Sequence, residues 1–237
     1  MKKKVARKLL IVMAKEPVPG QVKTRLFPQV SPQEAAHLYL CFLHDTMKEM
    51  SALEGIDLAI AYTPGRAGET FASIALKGFL LFAQHGKDLG ERLCNIFMEK
   101  LGKGYDAVSI INSDSPDLPR SLVVESFRLL SDHADVVFGP CDDGGYYLIG
   151  MKKICPELFR GISWSMGNVL SKSLEIARKS GIKTALLPPW NDIDTFQDLL
   201  TFFNKYKKLP QGRHWAGKKT FLFLSGLEKF KMMYGCT

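Results

Sequence analysis

No stretch of this sequence approaches the ~18–20 consecutive apolar residues that a membrane-spanning helix requires, so a helical span is excluded and no membrane partner is expected. Cysteine is sparse: five residues, at 41, 94, 141, 155 and 236, with no CxxC pair among them. That argues against a disulfide framework and against a zinc site, and it leaves reduced, buried thiols. No Gly-x-Gly-x-x-Gly follows the first apolar run, which sets back a dinucleotide-dependent dehydrogenase. Gly-x-Ser-x-Gly is also missing and the histidines are scattered, which sets back a serine hydrolase. His37 and His44 stand at helical spacing but lack a third ligand nearby. Internal repeats and long linkers are absent as well.

The N-terminal "MKKKVARKLLIVMA" has the outline of a signal peptide, but "KEPVPGQVKTRL" follows where a small-residue cleavage site should be. The run reads instead as a first strand, and the protein as cytoplasmic. The net charge of +8 is concentrated at the ends: residues 1–8 carry +5 and residues 205–237 carry +7, which leaves the body between them at −4. A nucleic-acid face built into a fold would not give that distribution, so nucleic acid is not the expected partner.

Short apolar runs bounded by Gly, Pro, Asp or Asn recur along the chain: 8–14, 56–63, 79–84, 107–112, 135–140 and 183–188. Several are apolar almost throughout, as strands covered on both faces are. Helical patterns separate them, at 31–50, in "DLGERLCNIFMEKLGKG", where Leu89, Leu93, Ile96, Phe97 and Leu101 form one stripe, and at 166–181. Asp88 is a natural N-cap for the second of these. Strand–helix alternation predicts a single-domain α/β fold, a doubly wound and mainly parallel sheet. "GGYYLIGM" (144–151) reads as one extra strand after a turn, which would make the sheet mixed. The core should run from about 8 to 205, with residues 206–237 a loop and a basic terminal helix appended to it.

Ligands of open α/β sheets bind at the carboxyl ends of the strands, and four unusual clusters fall there. In "AKEPVPGQVKTRL", prolines and Gly20 stiffen a loop that carries Lys15, Lys23, Thr24 and Arg25. Val22 stands where a Walker loop needs glycine, so a P-loop NTPase is disfavoured. Cations and backbone N–H groups on a rigid loop still suit phosphate, the other reading being a solvated basic turn. In "NSDSPDLP", Asp114 and Asp117 could hold Mg²⁺ or Mn²⁺, hard ions that accept a few carboxylates beside phosphate oxygens. Asp117, two residues before Pro119, equally suits helix capping, so Asp114 is the metal candidate. In "GPCDDGGYYLIG", Gly144 and Gly145 allow close backbone approach to a ligand, and one carboxylate could serve as a base; a plain hairpin is the alternative. In "WNDIDTFQDLL", Asp194-Thr195 is an ordinary N-cap signal that also brings a carboxylate towards Asp114. Trp164 and Trp190 could stack on a sugar or a base, or simply pack.

Taken together, "MAKEPVPGQVKTRL", "QHGKDLGERL", "NSDSPDLP", "GPCDDGGYYLIG", "ISWS" and "NDIDTFQDL" resemble the glycosyltransferase-like DUF2064 group of nucleotide-diphospho-sugar transferase fold, over about residues 9 to 200. The resemblance implies a GT-A-type sheet with nucleotide at its carboxyl edge. It implies that Lys23 and Arg25 lie in the segment holding nucleotide phosphates, that Asp114 and Asp194 are metal ligands, and that Gln84, Asp88 and Arg92 belong to the nucleotide or donor pocket. Asn112 departs from the glycine expected at its position.

The expected activity is a transferase dependent on Mg²⁺ or Mn²⁺ that takes a nucleotide sugar and an unidentified small-molecule acceptor. The cations would stabilise the leaving diphosphate, and Asp143 would be the base if the acceptor is a hydroxyl. Two alternatives stand beside it. One is a guanylyltransferase-like nucleotidyltransferase that joins an NTP to a phosphorylated small molecule and releases pyrophosphate. The other is a non-catalytic nucleotide- or RNA-binding protein.

Overall fold

Strand β1 (Lys8–Lys15) shows why this chain builds a two-sided sheet. Its side chains alternate between faces, yet both sets are apolar: Leu9 and Ile11 join one hydrophobic cluster, Leu10 and Val12 another. Strand β2 (Asp57–Thr63) divides in the same way, with Ala59 and Ala61 on the first face and Leu58 and Ile60 on the second. A strand with two apolar faces must be covered by helices on both sides.

The computed structural model describes residues 6–164, 167–209 and 215–234. The first lysines, Ser165 of "ISWS", Arg213 and Cys236 lie outside these residues. The remaining strands are β3 (Phe79–Ala83), β4 (Ala107–Ile111), β5 (Val136–Pro140), β6 (Tyr146–Met151) and β7 (Thr184–Leu186). They form one seven-stranded sheet of order β3-β2-β1-β4-β6-β5-β7. Only β6 runs antiparallel to its neighbours, β4 and β5, so the sheet is mixed and mainly parallel, as the sequence predicts.

Helices α1 (Pro32–Met50), α2 (Gly68–Ile74), α3 (Leu89–Gly102), α4 (Arg120–Asp132), α5 (Val169–Lys179) and α6 (Phe196–Tyr206) connect or follow the strands. Several starts are written locally. Ser31 and Glu34 form a reciprocal capping box on α1, with Pro32 at its first position. Asp88 accepts from the Glu91 N–H at the start of α3, as expected. Thr195 and Asp198 cap α6 in the same reciprocal way. Helices α3 and α5 cover one face of the sheet; α1, α4 and α6 cover the other.

Two expectations change. Asp117 does not cap α4, whose first residue instead donates its N–H to Glu49 of α1 at 3.2 Å. Asp117 is buried and accepts from Trp190 Nε1, Lys205 Nζ and the Tyr206 hydroxyl, which fastens the end of β4 to α6. The C-terminal segment holds two short helices, not one: α7 (Lys218–Gly226) and α8 (Glu228–Tyr234), with extended Leu227 between them. Leu224 and Phe230 are fully buried in the cluster that also holds Leu38, Phe42 and Phe203. The buried Asp45 carboxylate of α1 accepts from the N–H groups of Lys219 and Thr220 and so caps α7. The basic segment is thereby fixed to the core. Among the described residues no helix is long and apolar enough to cross a membrane.

Candidate active site

A turn shapes the loop after β1. Val18 O accepts from Gln21 N–H at 3.0 Å, with Pro19 and Gly20 at its centre and Gly20 at φ 80°, where glycine carries no steric penalty. Three residues on, Lys23 also has positive φ, 50°, which is uncommon outside glycine. That conformation turns the lysine inwards, and its side chain is only 4% exposed.

The Lys23 ammonium lies 2.5 Å from Asp114 Oδ1 and 3.1 Å from Asp194 Oδ1, and it donates to Ile193 O at 2.7 Å. All three of its N–H groups are therefore engaged. Burial alone would depress its pKa, but the two carboxylates more than offset that and hold it above the ordinary lysine value. Arg25, largely exposed, reaches the other oxygen of Asp194 at 3.2 Å. Asp114 and Asp194 come from the loops after β4 and β7, and the Ile193 N–H donates to Asp114 O at 2.9 Å, which zips the two loops together.

Behind this centre stands a layer absent from the sequence candidates. Asn112 Nδ2 donates to both oxygens of Asp192, and Ser115 Oγ donates to Oδ1 at 2.7 Å. Asn112 Oδ1 in turn accepts the Asp114 N–H. Desolvation, with Asp114 nearby, pushes the Asp192 pKa up to about 6. A signal for it exists in the sequence: in an extended Asp192-Ile193-Asp194 segment the two carboxylates fall on the same side, so Asp192 accompanies Asp194 to the site. Tyr39 of α1 shares a 2.6 Å hydrogen bond with Ser113 and accepts the Lys15 N–H, which ties α1 to the ends of β1 and β4. Burial, then Asp114, raises its pKa. The buried Cys141 thiol is pushed up by desolvation and then by Asp192, Asp143, Asp142 and Asp194, so it stays protonated.

The cleft above this centre has a volume of about 460 Å³, within the ~300–1,000 Å³ range of small-molecule sites. It brings together Lys15, Lys23, Thr24, Arg25, Asp114 and Asp194. Gln84, Leu89, Arg92, Leu93 and Tyr146 line the same cleft. Gln84 Nε2 donates to the carbonyls of Ala61 and Ala14, which fastens it across the ends of β1 and β2. Arg92 Nε donates to Gly86 O, which leaves its two terminal nitrogens without a partner among the described residues. The Tyr146 hydroxyl is buried and also lacks a partner there.

The other sequence candidates stand outside this lining. Gly20 shapes the loop, and Asp88 caps α3. Trp164 packs on Gly90 and against the rings of Phe159 and Tyr146. Asp143 Oδ1 accepts the Gly145 N–H within the β5–β6 hairpin, where Gly144 has φ 84°. The close backbone neighbour of Gly144 is Gly167 of this chain: a Cβ on Gly144 would collide with the Gly167 carbonyl oxygen. Trp190 Nε1 donates to Asp117, and Lys205 sits over its ring.

The family described as "Uncharacterized protein conserved in bacteria (DUF2064)" matches residues 46–166. The chain belongs to the DUF2064 family. A crystal structure of a Desulfovibrio desulfuricans protein, named provisionally as a nucleotide-diphospho-sugar transferase, is 35% identical to this DUF2064 member. It superposes with a TM-score of 0.86 over 97% of this chain and 98% of that one. More distant structures share the fold. A CMP:2-keto-3-deoxy-manno-octonic acid synthetase complexed with CTP has TM-score 0.53 at 13% identity, over 82% of this chain and 96% of that one. A 4-diphosphocytidyl-2C-methyl-D-erythritol synthase from Anaerococcus prevotii has TM-score 0.55 at 11% identity, over 85% and 97%. No curated protein matches the sequence significantly. The fold is thus that of the nucleotide-diphospho-sugar transferases, and cytidylyltransferases share it.

Proposed function

We propose that this DUF2064 protein is a transferase that takes a nucleoside-diphosphate sugar as donor. The observation that carries this reading is the cluster of Lys23 and Arg25 on the carboxylates Asp114 and Asp194 at the carboxyl edge of a mainly parallel sheet, in a cleft that Lys15 also lines. Its close structural relative carries the name of such a transferase. Leu89 and Leu93, with Gln84 and Tyr146, line the same cleft and offer apolar and polar surface to a base or sugar.

In this reading Lys15 and Arg92 hold the phosphates, Arg25 joins them by exchanging Asp194 for phosphate, and Thr24 adds a hydroxyl. Lys23, with every N–H engaged, holds the carboxylates in place. The donor set also fits a hard divalent cation that arrives with phosphate oxygens. Asp114 Oδ2 has no partner among the described residues and is an oxygen ligand of the kind Mg²⁺ or Mn²⁺ prefers. Asp194 would stand beside it once Arg25 turns to phosphate. Such an ion would neutralise charge on the leaving diphosphate. Asp143 would act as base only towards an acceptor that approaches along the hairpin rim.

Nucleotidyl transfer is the second reading, because cytidylyltransferases share the fold and the same cations would hold a triphosphate. A thermal-shift panel of NTPs and nucleotide sugars, each with and without Mn²⁺, tests the first reading. Saturation at ~100 times the dissociation constant adds roughly 2.7 kcal/mol, which is a shift of several degrees for a chain of this size. A shift with one nucleotide sugar supports sugar transfer, and a shift confined to NTPs supports the second reading. No shift with any nucleotide rejects both.

A further inference from the structure

The two carboxylates best placed to hold a metal are already bridged by a cation of the protein itself. Lys23 Nζ touches one oxygen of each, at 2.5 and 3.1 Å, and Arg25 takes the second oxygen of Asp194. Asp114 Oδ2 alone is left, and among the described residues no group of three or more His, Cys, Asp or Glu side chains is arranged to hold a metal ion. With Lys23 in place the two carboxylates offer a metal a single free oxygen, so its other ligands must come from water or phosphate.

We propose that Lys23 is a tethered stand-in for the divalent cation: in the nucleotide-free cleft its ammonium occupies the seat between Asp114 and Asp194, and it confines metal binding to the metal–nucleotide complex. The proposal rests on the nucleotide-dependent reading above for its last clause only. A tethered ammonium competes at high effective concentration and without losing translational freedom, so free metal must displace it against that advantage. A metal entering beside it would also face a like charge a few ångströms away. A nucleotide changes both terms, since its phosphates supply most of the metal's oxygens and draw Arg25 away from Asp194. The backbone shows that the lysine is held where it is. A non-glycine residue at φ 50° persists only where its contacts outweigh the conformational cost, and the contacts here are Ile193 O and the two carboxylates.

The test uses Mn²⁺ alone, with free and bound ion distinguished by electron paramagnetic resonance, on the nucleotide-free protein. The wild type should bind Mn²⁺ at least tenfold more weakly than Lys23→Met. Adding Asp114→Asn to Lys23→Met should abolish the gain, which places the ion at these carboxylates. Lys23→Gln, which can still donate to Ile193 O, should show the same gain if Lys23→Met does not fold; melting curves of each variant identify the folded ones. Equal Mn²⁺ affinity in wild type and a folded Lys23 variant overturns the proposal, as does a gain that survives Asp114→Asn. Because no nucleotide is present, this result is independent of the nucleotide panel. A protein can fail one test and pass the other.

Discussion

Asn112 gives one amide nitrogen to both carboxylate oxygens of Asp192, at 2.8 and 2.9 Å, across 80 residues of sequence. Its Oδ1 meanwhile accepts the Asp114 N–H, so Asn112 positions the backbone of Asp114 as well as the carboxylate of Asp192. Asparagine at a position where the family resemblance leads one to expect glycine thus joins the two loops that supply the site's carboxylates.

The Asp192 pKa, raised from 3.8 to about 6, sets a pH dependence. The folded state binds this proton more tightly than the unfolded chain. Asp192 therefore contributes stability that is fully present below its unfolded value and is lost as pH rises through about 6. Without nucleotide or metal, the stability difference between wild type and Asp192→Asn should change in favour of the variant between pH 4 and 7, by on the order of 2–3 kcal/mol. Denaturant melts at several pH values measure it. A difference independent of pH would show that this carboxyl titrates normally.

The buried Asp45 carboxylate caps α7 through the N–H groups of Lys219 and Thr220. Asp45→Ala should cost about 1–2 kcal/mol, the upper range for a lost helix cap, and lower the melting temperature by a few degrees. An unchanged melt would mean that the C-terminal helices do not contribute to the cooperative fold.

Gly144 combines φ 84° with a close backbone approach: a Cβ at this position would overlap the carbonyl oxygen of Gly167. Gly144→Ala must therefore push residue 167 away or strain the turn, and a loss of about 2 kcal/mol or more is expected. A thermal melt equal to that of the wild type would show that the two segments separate at no cost.

The strands were legible because most are buried on both faces and read as short apolar runs; even β6 showed itself between a glycine turn and Lys152. Caps written in neighbouring residues, such as Asp88 at α3 and Thr195 at α6, are legible for the same local reason. Long-range partners were not. Nothing near Asp117 announces Trp190, Lys205 and Tyr206, so a capping signal beside Pro119 misled. Nothing near Lys23 announces that Asp114 and Asp194 will use up its donors. The pair of C-terminal helices looks like one in the sequence because "TFLFLSGLEKF" is apolar on both sides of the break at Gly226-Leu227. The site's residue types were therefore visible in the sequence, while their division into buried scaffold and free cations was not.

Arg25 and Arg92 both line the cleft, and neither is buried in packing: Arg25 is 74% exposed and paired only with Asp194, and Arg92 is anchored only through Nε. The most direct test of the account is isothermal titration of wild type and the Arg25→Ala/Arg92→Ala double variant with the nucleotide or nucleotide sugar that stabilises the wild type, in Mn²⁺. The double variant should bind at least tenfold more weakly, with its melting temperature unchanged within a degree or two, as expected for side chains outside the core. Equal affinity in the two proteins would contradict it, because the phosphates would then lie somewhere other than this cleft.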